Sequence, residues 1–167
     1  MGAPPFLDPV IGLPLAPWWK RLCAILIDDV IVGFAIIVFV AITFAVLGSS
    51  VRTGPVNALG TRAVAPAAYL VVYLVAFAAQ LVYYGVLNGS ARGQTVGKMA
   101  LRIAVRDAQT GGPIGFWRAL GRDAVLFVFD IPFAIPLIID NLSPLWDRRR
   151  QAWHDKVVRS VVVELPG

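Results

Sequence analysis

The sequence predicts an all-α membrane protein: a small helical bundle of two transmembrane helices and a proline-broken third hydrophobic region, with a small cytoplasmic β element. Three observations predict it. Of the 167 residues, 58% are hydrophobic and only 15% charged, against about 45–50% and about 25% in soluble domains. Two apolar runs, near 20–47 and 66–87, reach the roughly 20 residues a bilayer crossing needs. The net charge of +5 comes from basic residues set beside these runs, which reads as a positive-inside signal and an attraction to anionic lipid head groups. The same placement argues against nucleic acid as a partner, and a soluble fold would have too little polar surface to cover such runs.

Residues 1–17 hold five prolines and no basic residue, so an extended tail is expected here and a cleavable signal peptide is not. Trp18 and Trp19 then supply an aromatic belt, and Lys20 and Arg21 mark the cytoplasmic side. Leu22 to Leu47 is free of proline and basic side chains over 26 residues. That is about 39 Å of helix against an approximately 30 Å hydrocarbon core, so tilt or an overhanging end is expected. The second span, 66–87, carries no charge, and its Tyr69, Tyr73, Phe77, Gln80 and Tyr84 form one packing stripe. Residues 48–65, rich in Gly, Ser and Thr with only Arg52 and Arg62, read as an external loop.

Charge counting sets the topology. Residues 88–118 hold Arg92, Lys98, Arg102, Arg106 and Arg118, which puts them and the N terminus inside. The third hydrophobic region, about 119–142, is interrupted by Asp130, Pro132, Pro136 and Asp140. A full crossing would leave Arg148, Arg149, Arg150, Lys156 and Arg159 outside, against the charge rule. The preferred reading is two short helices in a re-entrant or interfacial hairpin, with a cytoplasmic C terminus; a third span is the alternative. Residues 99–107 alternate apolar and basic side chains and 156–164 are rich in valine, so they are expected to pair as strands. Residues 18–165 thus make one multi-pass domain of the cell membrane.

Arg21, Asp28 seven residues later, "GQTVGKMALRIAVRD" after the second span and "RRRQAWHDKVVRSVVV" near the end together resemble the RDD family of small integral membrane proteins, over about 17–164. The family is named for one arginine and two aspartates, which correspond to Arg21, Asp28 and Asp155. The resemblance implies a membrane fold and a weak functional expectation: most members are uncharacterised, transport of unknown ligands has been proposed, and some are described as cation/proton antiporters. Asp29, a second acid directly after Asp28, departs from the pattern.

Asp28 shares a helix face with Arg21 but lies about 10.5 Å along the axis from it, too far for a simple pair. An unpaired ionised acid at that depth costs on the order of 2.5–3.5 kcal/mol, so a basic partner is expected from Lys98, Arg118, Arg122 or Arg148. Two readings stay open. Asp28, Asp29 and Asp130 line a hydrated path for a cation, a proton or a small solute, in a chain that needs a second copy to enclose it. Alternatively, the acids are ion-pair anchors, with Asp155 held by an arginine, in a scaffold that binds a membrane-protein partner or anionic lipid.

No enzyme is expected. "GSARGQTVGK" misses the spacing and the Ser or Thr of a phosphate-binding loop, and His154 beside Asp155 has no nucleophile assigned to it. One cysteine, Cys23, and one histidine make neither a disulfide nor a metal site, and no cofactor is expected. Asn88 and Asn141 open Asn-x-Ser sequences, but a cytoplasmic placement and Pro144 make glycosylation unexpected.

Overall fold

The two apolar runs become two long helices, α1 (Trp18–Thr53) and α2 (Ala58–Gly89). The computed structural model describes residues 6–53, 58–130 and 134–166, with side chains described over 6–46, 70–126, 135–136 and 138–166. Both helices extend into the expected loop, because each added residue gains a backbone hydrogen bond once a helix is running; 54–57 lie outside the described residues. The apolar stretches Trp18–Val46 and Leu70–Gly89 are long enough to cross a membrane. Only 6% and 17% of their most apolar windows are buried, which a helix in a soluble core would reverse. The chain divides into two compact units, Asp29–Gln80 and Met1–Asp28 with Leu81–Gly167. In the first, Val30, Phe34, Ile37, Ile42, Leu70 and Leu74 point outward, a surface suited to lipid.

The second unit is built on a two-stranded antiparallel sheet, β1 (Ile103–Asp107) with β2 (Ser160–Glu164), in register Val105 to Val162. Side chains alternate between its faces. Ile103, Val105 and Val162 pack with Ala24 of α1 and Ala119; Ala104, Val161 and Val163 pack with Leu15, Ile11 and Leu13. The strands are shorter than expected because the first residues of each predicted segment are helical, α3 (Val96–Ala100) and α6 (Trp153–Val157). Arg102 and Arg159, both at φ 53°, turn the chain from helix into strand. The proline-broken region is two helices, α4 (Phe116–Asp130) and α5 (Ala134–Leu142); the intervening 131–133 lie outside the described residues.

The N-terminal segment is not an extended tail over the residues described. Leu7 pairs with Pro14 and Leu15 with Val163, and Asp8, 1% exposed, accepts from the N–H groups of Val10 and Ile11 to close the turn. Arg149 grips the same carboxylate through Nε at 2.8 Å and NH2 at 2.9 Å. A sheet of two strands leaves a face and an edge open, and this segment covers both.

The sheet unit contains two halves built alike. Residues 92–107, "RGQTVGKMALRIAVRD", align without a gap on 149–164, "RRQAWHDKVVRSVVVE". Gly93 (φ 60°) matches Arg150 (φ 49°), and Arg102 matches Arg159. Gln94 Nε2 donates to the Ile103 carbonyl at 3.0 Å and Gln151 Nε2 to the Ser160 carbonyl at 2.8 Å. Just upstream, Ser90 and Ser143 each donate to a carbonyl three residues back, both at 2.7 Å. The strand ends are clasped reciprocally. Glu164 N–H donates to Pro14 O and Asp107 N–H to Gly112 O; four residues after each acceptor α1 and α4 begin, and Lys20 and Arg118 pair with Glu164 and Asp107. The chain therefore runs through two long-helix, short-helix, strand passages, the second with shortened helices.

Candidate functional site

Asp28 sits where α3 meets α1. Ala24 is fully buried, and a Cβ on Gly97 would lie 2.2 Å from the Ala24 carbonyl oxygen, so only glycine permits this approach. One turn further along α1, the Asp28 carboxylate accepts from Gly97 N–H at 2.8 Å, Thr95 Oγ1 at 2.5 Å and Tyr83 OH at 3.0 Å. Tyr83 and Thr95 also accept from Val96 N–H and Lys98 N–H. Neutral donors, charge-assisted by the carboxylate, thus replace the basic partner that was expected. Among the described residues none of the four candidates pairs with Asp28: Lys98 turns to Asn88, Arg118 to Asp107, Arg122 to Asp155, and Arg148 is exposed.

Arg21 and Asp155 meet in a second cluster. Arg21 NH1 lies 2.9 Å from Asp155 Oδ2 and Arg122 Nε 2.9 Å from Asp155 Oδ1. Ser160 Oγ adds a hydrogen bond at 3.0 Å and Ala152 N–H another at 3.3 Å. Burial by itself would raise the Asp155 pKa, but the arginines, Arg122 foremost, outweigh it and hold the carboxyl well below the usual carboxylate range. Arg122 NH2 also contacts His154 Nε2 at 2.8 Å, and His154 Nδ1 lies 2.5 Å from Asp140 Oδ2. A guanidinium only donates, so Nε2 accepts and the ring proton resides on Nδ1, facing Asp140. Asp140 further accepts His154 N–H at 3.0 Å, the counterpart of Asp28 with Gly97: each acid receives the second N–H of a short helix.

The third group is Lys98, whose Nζ donates to Asn88 Oδ1 at 2.5 Å, beside Asp123. Asp29 is exposed in the other unit, and the Asp130 side chain lies outside those described. The structure therefore joins Arg21, Asp155 and Arg122 and places Asp28 in a network with Tyr83, Thr95 and Gly97. Sequence reasoning missed Tyr83, Thr95, Asn88 and Asp140. The available signal was the repeated "R-x-Q" ahead of each strand, at Arg92–Gln94 and Arg149–Gln151. Among the described residues no group of three metal-ligating side chains occurs.

Comparison with known proteins agrees with the resemblance. The family model described as the RDD family matches residues 15–159. The proline-rich antigen homolog of Mycobacterium tuberculosis is 30% identical over 156 residues, covering 89% of this chain and 63% of that protein. The proline-rich antigen of Mycobacterium leprae is 34% identical over 98 residues, 59% of this chain and 37% of that protein. The chain spans less than two thirds of the length of these relatives. No solved structure matches it. With the family model covering both apolar helices and the first strand of the sheet, the chain belongs to the RDD family.

Proposed function

We infer that this chain is a non-catalytic scaffold of the cell membrane, in which the family's charged residues join the membrane helices to a cytoplasmic β-platform that holds a partner protein or anionic lipid head groups. One observation carries the reading: Arg21, Asp28 and Asp155 are 9%, 1% and 0% exposed, and each closes on internal partners. A transport carboxylate must give up its ligands to an ion or water in each cycle, whereas leaving buried donors such as those around Asp28 unpaired costs about 1–3 kcal/mol. Exposed Arg92, Arg102, Arg148, Lys156 and Arg159 on the same unit suit anionic head groups.

The matched halves support both termini being inside and α4–α5 being a re-entrant hairpin. Antiparallel strands are related by a two-fold axis perpendicular to their sheet, so corresponding segments leave on the same face. The starts of α1 and α4 correspond, which favours entry into the bilayer from one side.

The test is ion-gradient-driven flux in proteoliposomes, with melting measured in parallel, for the wild type, Asp28→Asn and Asp155→Asn. The scaffold reading expects flux no higher than in empty vesicles and lowered melting in both variants. Wild-type flux abolished by Asp28→Asn with unchanged melting would overturn it in favour of cation, proton or solute transport.

A further inference from the structure

Every tryptophan of the chain lies in the sheet unit, and none falls between residues 29 and 80. Two of them occupy one equivalent position in the matched halves. Pro14 and Gly112 supply the matched carbonyls that clasp the strand ends. Counted from these, Trp19 is the second residue of α1 and Trp117 the second of α4, each followed by the basic residue that pairs with the end of a strand. Both indoles are exposed, at 53% and 78%. The two-fold axis that relates the halves is perpendicular to the sheet, and points related by such an axis lie at one height along it. The two indoles therefore stand at the same level on the same side of the unit.

Helix α5 is inverted relative to a helix that faces water. Ile135, Ile138 and Ile139 share one face at i, i+3, i+4 spacing and are exposed, whereas Asp140 and Ser143 are buried. Water selects the opposite arrangement, while hydrocarbon selects an apolar side turned out and a polar side satisfied within the protein. The end of α5 is fixed at the start of α1, because Trp18 Nε1 donates to the Asn141 carbonyl at 2.8 Å. Trp146 follows and is exposed. On α1 itself, Trp19, Leu22 and Leu26 form an exposed stripe within the stretch long and apolar enough to cross a membrane.

We propose that the sheet unit is seated in the inner leaflet, with Trp19, Trp117 and Trp146 at head-group level and the isoleucine face of α5 against acyl chains. The inference rests on the membrane-scaffold reading and narrows it, because it assigns this face to lipid rather than to a partner protein. An indole suits that level: its ring buries apolar area while its N–H stays hydrogen-bonded. The lipid surface that receives α1 at Trp19 is thus continuous with the one that receives α4 at Trp117.

The full chain in phosphatidylcholine–phosphatidylglycerol liposomes tests the seating through single-tryptophan forms, which keep Trp19, Trp117 or Trp146 and carry phenylalanine at the other tryptophans. Lipids brominated near the carbonyl end of the acyl chain are expected to quench Trp117 and Trp146 as strongly as Trp19, and more than lipids brominated near the methyl end. Aqueous iodide is expected to quench all three weakly. Quenching of Trp117 and Trp146 by iodide and not by bromine, with Trp19 still quenched by bromine, overturns the proposal. The scaffold reading would survive that result, since it stands or falls on ion flux. Protection from both quenchers also overturns the proposal, because a second copy would then cover the face. If the single-tryptophan forms do not fold, a nitroxide on Ile138→Cys in a Cys23→Ser background keeps every indole. Oxygen is expected to relax that label more than an aqueous nickel chelate does, and the reverse order overturns the proposal.

Discussion

Asp28 receives three donors and no cation, and Asp155 receives two guanidinium groups, so their replacements should behave differently. Asp28→Asn keeps the shape but turns an amide toward donors, and it should cost about 1–3 kcal/mol, read as lowered melting in detergent. Arg21→Met leaves Asp155 with one guanidinium partner, Arg122, and should cost about 3–5 kcal/mol. Lys20→Met, at a pair left 18% and 34% exposed, should cost at most about 1 kcal/mol. Equal losses for Arg21→Met and Lys20→Met would contradict this ranking. At Asp107, burial is outweighed by Arg118 and the N–H groups of Thr110 and Gln109, which bring the carboxyl to about 2 from 3.8. The folded value is depressed, so the contribution is present above about 3.8 and lost as pH falls through about 2. Acid unfolding of the wild type should lose stability across that window, and Asp107→Asn should lose less, the remainder coming from Asp8, Asp147 and Asp155, whose carboxyls are also held low.

Among the elements, the two short helices and their strands were only half legible. Alternation over 99–107 and the valines of 156–164 located the sheet, because period-two burial shows in a linear sequence. The five-residue helices ahead of each strand stayed hidden, since one turn carries no periodicity and depends on caps from elsewhere, Asp28 for α3 and Asp140 for α6. The gapless match of 92–107 to 149–164 was present in the letters, yet only shared hydrogen bonds gave it meaning. That match makes a prediction at this scale: Gln94→Ala and Gln151→Ala should destabilise the sheet unit to a similar degree, about 1 kcal/mol each. Hydrogen exchange at β1 and β2 should accelerate in both variants, and acceleration confined to one would separate the halves.

For the whole molecule, the proposed topology predicts which side each segment faces. In a Cys23→Ser background, cysteines at Gly112 and Pro166 should react with an impermeant maleimide only from the inner side, and one at Arg52 only from the outer. Labelling of the Pro166 position from outside would make 119–142 a complete span. The charge asymmetry and the shared exit face of the matched halves argue the same way, from independent physics: one concerns translocation of Lys and Arg, the other the symmetry of an antiparallel pair.

Composition and run length determined, from the sequence alone, that the chain is a membrane protein with two long apolar helices. The bilayer imposes a length and a polarity on any segment that crosses it. Position within an apolar run also made Asp28 conspicuous, and the family resemblance singled out Arg21 and Asp155 beside it. Only the tertiary structure decided what they bind: Asp28 takes Tyr83, Thr95 and Gly97, while Arg21 crosses to Asp155, with Arg122 alongside. A buried carboxylate needs donors, and hydroxyl, amide and guanidinium groups can all supply them. Which one does so depends on how closely helices approach, and here a glycine on α3 and an alanine on α1 set that distance.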